Sequence, residues 1–369
     1  MASKPRVLIF GGCGFIGRHL VTYLVDNKLV EKVRVVDKVP PSMAWFNEKD
    51  KATFRNSIVE FKSANLSVEA NVQKSFDDPD GDYNYVINLA AETKYSQSEA
   101  VYEERVYRVT VNCAREAAKR KVTRYIEVST AQIYSSVKKS SHEHSKLDPW
   151  TEIAKFKLKA EEEISRIQGL DYVVLRPAVV YGIGDKLGVT PRLIIGAVYR
   201  ELKETMKLLW GKDLKINTVH VRDVCRAIWH VCTEGNSREV YNLADKGETD
   251  QGRISSLVAQ IFDIKHDYYG SLTSGLAQLS LSSIQEDSNE KHLRPWSDAC
   301  IRDNVMNTPL SPFLDKELFA NKHLHVDGKK IESTGFEYKV PEMTVELLKE
   351  IVDDYLALGL FPPSLLPSV

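Results

Sequence analysis

The sequence lacks any paired-cysteine motif. Its 369 residues hold five cysteines (Cys13, Cys113, Cys225, Cys232, Cys300), scattered, odd in number and without a C-x-x-C. That usage points to a reduced chain, so a cytoplasmic location is expected rather than a secreted disulfide scaffold. Net charge is nearly absent too: 50 basic against 51 acidic side chains leave −1. Such a balance creates no field to attract nucleic acid or an anionic membrane, and neither is expected as a partner. No apolar run approaches the roughly 20 residues of a membrane span. The opening "MASKPRVLIF" enters a strand directly and lacks the apolar core of a signal peptide. Internal repeats and low-complexity tracts are missing. The histidine-rich "HEH" (142–144) and "HLH" (323–325) sit in polar stretches with no second ligand cluster nearby, so solvated loop histidines are expected and a metal is not.

What is present is an alternation. Short runs rich in Val and Ile recur at 6–12, 32–37, 58–64, 83–91, 124–130 and 171–177. Helical patterns separate them near 15–27, 99–119 and 151–167. Strands apolar on both faces and joined by helices indicate an α/β fold, a doubly wound Rossmann-type parallel sheet. After Gly182 the pattern loosens. A helix is expected over 190–205, a short strand and helix over 216–232, and a return to the sheet at 239–245. The stretch 264–325 reads as polar and irregular, the mark of a lid or substrate lobe. The division expected is a cofactor domain over 1–182, rejoined by 216–245, a smaller substrate-binding lobe over 183–215 and 246–345, and a C-terminal helix and tail over 346–369.

"GGCGFIG" (11–17) follows the first strand and opens the first helix. Glycines there permit a tight turn and close approach to a pyrophosphate, which the helix N-terminus attracts. Asp37 ends the second strand, twenty residues after Gly17. A carboxylate at that place accepts hydrogen bonds from ribose hydroxyls and repels a 2′-phosphate, which favours NAD as cofactor. The adjoining Lys38 is the feature that speaks for NADP.

Taken together, "GGCGFIG", Asp37, "ANL" (64–66), "NLAA" (88–91), "VSTAQIY" (128–134), "KLKAEEE" (157–163), "LRPAVVYG" (175–182), "VHVRDV" (219–224), "VYNLAD" (240–245) and "VDGKKIESTGFEYKVP" (326–341) resemble the extended short-chain dehydrogenase/reductase family, also called the NAD-dependent epimerase/dehydratase family. The resemblance implies that Gly11, Gly14, Phe15, Ile16 and Gly17 hold the pyrophosphate and that Asp37 holds the adenosine ribose. It places Asn65 and Leu66 beside the adenine, Asn65 standing where the family commonly has an aspartate. Leu89, Ala90 and Ala91 line the cofactor, Pro177 and Val180 approach the nicotinamide, and Lys157 binds its ribose. Thr130, with Ser129 as the alternative, is the hydroxyl that holds a substrate oxygen. Family members act on nucleotide sugars, sterols and other secondary alcohols.

One residue departs from that pattern. The family places a tyrosine four residues before the lysine, whose ammonium lowers the phenol's pKa for proton transfer. Here the position is Ile153. Other registers, Thr151–Lys155 or Lys155–Lys159, supply no tyrosine either. Tyr95, Glu92, His142 and His144 are candidate replacements; Tyr134 and Tyr181 read as structural, and Lys155 as solvent-facing. Two classes of function stay open. One is an oxidoreductase or epimerase with an altered acid–base group and catalytic residues Thr130 and Lys157. The other is a cofactor-binding protein without turnover, with a regulatory or assembly role. A homodimer is expected through the helices near 99–119 and 151–167, using Ala114, Ala117, Ala118, Ile153 and Ile164 unless these face the sheet.

Overall fold

A computed structural model describes residues 4–269 and 281–367. Its centre is a seven-stranded, wholly parallel sheet. The strands are β1 (Arg6–Phe10), β2 (Lys32–Asp37), β3 (Val59–Ser63), β4 (Tyr85–Asn88), β5 (Arg124–Val128), β6 (Tyr172–Pro177) and, at one edge, β10 (Glu239–Leu243). Their order is β10-β6-β5-β4-β1-β2-β3. The chain therefore reverses direction across the sheet between β1 and β4. In doubly wound sheets the crevice at such a switch point is where ligands bind.

Alternation along each strand builds two cores. Val7, Ile9, Val33, Val35, Ile126 and Val128 meet helices α1 (Phe15–Asp26) and α8 (Val221–Thr233) on one face. Leu8, Phe10, Val36, Val86 and Tyr125 meet α3 (Glu69–Phe76), α5 (Val109–Lys119) and α6 (Glu152–Arg166) on the other. Both faces are covered, which is why the inner strands are mostly apolar on both, while the edge strand β3 keeps Glu60 and Lys62 on one side.

The helix expected near 99–119 begins as α4 (Glu99–Tyr102), widens into a π turn over Glu103–Arg108 and continues as α5. A third core joins α7 (Thr190–Leu202), α9 (Gln251–Phe262), α12 (Val345–Ala357) and the segment after it. Leu360, Phe361 and Leu365 of that segment are buried there, so the apolar tail packs on its own chain.

Two expectations need correction. Part of the stretch read as irregular, 264–325, is the long helix α10 (Leu281–Arg302); residues 270–280 lie outside the described residues. Its buried positions Asn289, His292, Trp296, Ala299 and Cys300 form one helical stripe. Two of the five are polar and a proline, Pro295, lies inside the helix, so the apolar period is hidden. The residues put forward for a dimer face are also occupied within the chain. Ala114, Ala117 and Ile164 are fully buried against the sheet, Ala118 packs beside them, and Ile153 lines the central cavity. The exposed positions of α5 and α6 include Arg115, Lys119, Lys155 and Lys159, which are charged.

The tail gives a test. Phe361 is 1% exposed, with its ring 5.4 Å from that of Trp296. Replacing Phe361 with alanine should cost about 3–5 kcal/mol of unfolding free energy. Urea denaturation followed by tryptophan fluorescence measures it; an unchanged midpoint would show that the tail does not belong to this core.

Candidate active site

A cavity of about 1370 Å³ opens at the switch point and runs on towards α7, α9 and α10. Its first end is built by the turn after β1. Gly11 has φ +77°, and a Cβ there would lie 2.7 Å from the backbone of Leu89 and Ala90. A Cβ on Gly17 would lie 2.5 Å from Gly12 Cα. Only glycine lets these three segments approach so closely. Helix α1 starts at Gly14 with no side-chain cap and no acidic residue in its first turn. Its free N–H groups therefore face the cavity with the positive end of the helix dipole. Gly11, Gly14, Phe15, Ile16 and Gly17 all line it.

Asp37 closes this end. Its carboxylate accepts from Val39 N–H at 3.0 Å and Cys13 N–H at 3.1 Å. Burial pushes its pKa above the ordinary value, against these hydrogen bonds to its charged form. Each oxygen keeps a lone pair for a further donor, as a ribose diol would provide. Asn65 and Leu66 line the same end, with Asn65 Oδ1 turned back onto Ser67 N–H at 3.1 Å. Leu89, Ala90, Ala91, Pro177 and Val180 line the middle. The residues present fit a dinucleotide: a glycine cradle, a bare helix N-terminus and a carboxylate at the end of β2.

In the middle stand Thr130, Ser129, Ile153 and Lys157. Thr130 Oγ1 accepts from Gln132 N–H at 3.2 Å, which leaves its proton to donate into the cavity. Ser129 Oγ is buried without a partner. Ile153 and Lys157 share one face of α6, one turn apart. Lys157 is buried, with Nζ 3.0 Å from Glu127 Oε1 and 2.7 Å from Val128 O. Two of its three donors are thus committed and one remains.

Glu127 gave no sequence signal beyond a charge inside an otherwise apolar strand. It also accepts from Asn88 Nδ2 at 2.8 Å, Tyr125 Oη at 2.9 Å and Thr110 Oγ1 at 3.3 Å.

Of the candidate replacements for the tyrosine, Tyr95 and Glu92 line the cavity. His142 and His144 are exposed and outside its lining. Lys155 is exposed and paired with Glu152. Tyr134 is buried, donating to Asn242 Oδ1 at 2.8 Å and accepting from Arg176 at 2.7 Å. Tyr181 is fully buried against His220. Among the described residues no cluster of side chains could hold a metal ion, and no helix is long and apolar enough to cross a membrane.

The far end of the cavity was unreadable beforehand. Arg192 lines it, Lys186 lines the cavity nearer Arg18, and neither side chain makes a hydrogen bond or ion pair among the described residues. Burial lowers the Arg192 guanidinium to about 10. His292, on α10, has both ring nitrogens buried without partners among the described residues, and burial, with Lys291 beside it, lowers its pKa to about 4.

The Lys157–Glu127 pair makes a prediction. Lys157→Ala leaves a carboxylate buried without its counter-charge, which typically costs about 3–5 kcal/mol. Chemical denaturation of the cofactor-free protein should show that loss. A change below about 1 kcal/mol, the scale of an exposed pair, would mean the pair is solvated.

Comparison with known proteins follows this geometry. The chain is 28% identical over 279 residues to a probable dTDP-glucose 4,6-dehydratase of Sinorhizobium fredii, covering 70% of this chain and 76% of that one. It is 24% identical over 362 residues to dTDP-D-glucose 4,6-dehydratase of Homo sapiens, covering 94% and 90%. The fold is shared with DesIV, a dTDP-glucose 4,6-dehydratase of Streptomyces venezuelae solved with NAD and TYD bound. There the TM-score is 0.69 at 19% identity, over 95% of this chain and 97% of that one. It is shared also with UDP-glucose 4-epimerase of Thermus thermophilus in complex with NAD, with TM-score 0.66 at 19% identity, over 95% and 99%. Residues 7–244 match the family described as the NAD dependent epimerase/dehydratase family, and the chain belongs to that family.

Proposed function

We propose that the chain is an NAD(H)-dependent enzyme of the epimerase/dehydratase type. Its substrate is a nucleotide sugar, oxidised or reduced at a secondary alcohol or ketone. One observation carries this reading: the dinucleotide groove opens without a break into a chamber lined by Arg192, and neither it nor Lys186 in the same cavity has an ion pair among the described residues. A largely buried guanidinium with no counter-ion among the described residues is costly unless a ligand supplies the charge, and a diphosphate fits that need. The two relatives in sequence named above are a probable dTDP-glucose 4,6-dehydratase and a dTDP-D-glucose 4,6-dehydratase.

In this reading the cofactor, when bound, accepts or returns hydride at the substrate carbon. The chain does the rest. The glycine turn and the α1 N-terminus bind its phosphates, and Asp37 its adenosine ribose. The free donor of Lys157 reaches the nicotinamide ribose. Thr130 donates to the substrate oxygen and holds it in place. Ile153 stands at the position of the family's tyrosine and can exchange no proton, so acid–base work falls to another group.

A second reading has its own support. Lys157 is drawn onto Glu127, and Ile153 is beside it, so the pair that activates a phenol elsewhere in the family is dismantled here. A cofactor-binding protein without turnover would look the same at these two positions. We also carry a homodimer as a proposal, through the outer face of α5 and α6, where Tyr107 and Phe156 lie half-buried under Lys159.

The purified protein should bind NADH at least about tenfold more tightly than NADPH, a difference of about 1.4 kcal/mol. Calorimetric titration that gives equal affinities would remove Asp37 from its role. With NAD present, dTDP-glucose or UDP-glucose should be converted, with the product sugar identified by mass spectrometry. Tight NADH binding with no conversion of either would favour the second reading.

A further inference from the structure

The proton donor missing from α6 has a counterpart elsewhere in the cavity lining. Tyr95 follows β4 and is half-buried beside the cavity that Ile153, Thr130 and Lys157 also line. Its hydroxyl is oriented by a chain of hydrogen bonds whose polarity can be worked out. Thr151, the N-cap of α6, accepts from Ala154 N–H at 3.2 Å. Its proton must then go to Gln132 Oε1, 2.9 Å away. That fixes the Gln132 amide, so its Nε2 faces Tyr95 and donates to the phenol oxygen at 3.1 Å. The Tyr95 oxygen is an acceptor in this chain, and its own proton meets no acceptor among the described residues. It is left to donate into the cavity. Gln132 also donates its backbone N–H to Thr130, so one residue sets both hydroxyls.

The loop that carries Tyr95 is held firmly. Ser96, next to it, has φ +52°, a left-handed conformation uncommon outside glycine. Ser96 N–H donates to Glu317 Oε1 at 3.1 Å and Ser96 Oγ to Asp315 Oδ1 at 2.9 Å. Glu317 Oε2 in turn accepts from Glu152 N–H at 2.9 Å, at the start of α6. The loop after β4 is thereby locked to the helix that bears Ile153 and Lys157. The neighbouring Glu92 is already engaged. Its carboxylate accepts from Thr93 N–H, Lys94 N–H and Arg105. Burial raises its pKa, but these donors outweigh that and hold it below the ordinary value.

We propose that Tyr95 is the catalytic acid–base of this site, exchanging its hydroxyl proton with the substrate oxygen that Thr130 holds. The proposal rests on the enzymatic reading above. As a substrate carbonyl becomes an alcohol, the Tyr95 O–H bond breaks and an O–H bond forms on the substrate oxygen. The phenolate left behind takes a proton from water. The hydride that balances the step at carbon comes from the reduced nicotinamide cofactor. Oxidation runs the same transfer in reverse. Burial raises the Tyr95 pKa, so the phenol rests protonated, ready to donate.

Two arms test this. In the first, 3-fluorotyrosine is placed at position 95 and its fluorine resonance is followed as NADH is added. A shift that saturates with NADH binding is expected. No shift at saturation overturns the proposal whether or not the protein turns over. In the second, Tyr95→Phe is assayed with NAD and whichever of dTDP-glucose and UDP-glucose the unaltered protein converts. The expected result is a kcat lower by about 10²–10⁴-fold, with KM and NADH affinity within about threefold. Adding Ile153→Tyr to Tyr95→Phe should restore part of the loss, because a phenol then stands beside Lys157. An unchanged kcat in Tyr95→Phe overturns the proposal. Should the unaltered protein convert neither sugar nucleotide, the substrate reading fails, and the fluorine arm alone decides the place of Tyr95.

Discussion

The carboxylate of Glu127 is the constraint on which the site depends. It is 1% exposed and takes hydrogen bonds from β4, β5, α5 and α6 through Asn88, Tyr125, Thr110 and Lys157. A buried charge is tolerated only when it is paired and its lone pairs are filled. Here the filling groups come from four elements, so none can shift without exposing the charge. Asn88 passes the constraint on, because its Oδ1 accepts from Ala90 N–H at 3.1 Å. The floor of the cofactor groove is thus tied to the lysine on α6. Glu127 follows Tyr125 by two residues, on the same face of β5. The strand's other face carries Ile126 and Val128, with Arg124 at its start.

Much of the cofactor end was legible because its requirements are local. A close turn needs glycine at Gly11 and Gly17, and strand and helix lie on either side in sequence. The alternation of apolar runs gave the doubly wound sheet for the same reason. The chamber was not legible, because its members meet only in three dimensions. Arg192 on α7 and His292 on α10 are far apart in the chain, and their meaning lies in what they fail to touch. Helix α10 was hidden because its buried stripe includes Asn289 and His292. Asn289 earns its place by hydrogen bonds to the backbone of Leu314, at 2.9 Å and 3.0 Å, rather than by apolarity.

The π turn at Glu103–Arg108 escaped the sequence reading altogether, since its residues suit an α-helix as well. It widens the helix where the cavity is lined by Glu104 and Arg105. A widened turn releases carbonyls from the helical ladder. Arg105 O is used accordingly, accepting from Glu92 N–H at 3.1 Å. The dimer face stayed open in the sequence through a related ambiguity. Small and apolar residues on a helix mark a buried side, but not whether the sheet or a second chain buries it.

Helix α12 has a consequence for how the molecule is made. Tyr355 Oη donates to Asp185 O at 2.8 Å, and Asp354 Oδ1 accepts from Asn47 Nδ2 at 2.8 Å. Asp185 in turn gathers the N–H groups of residues 187–190 that shape the start of α7 beside the cavity. Chains fold from the N-terminus as they are synthesised. The sheet can form early, but the wall near Asp185 waits for a clasp that lies 170 residues further along the chain. A chain in synthesis would carry a formed dinucleotide groove and an open chamber until α12 emerges to close it.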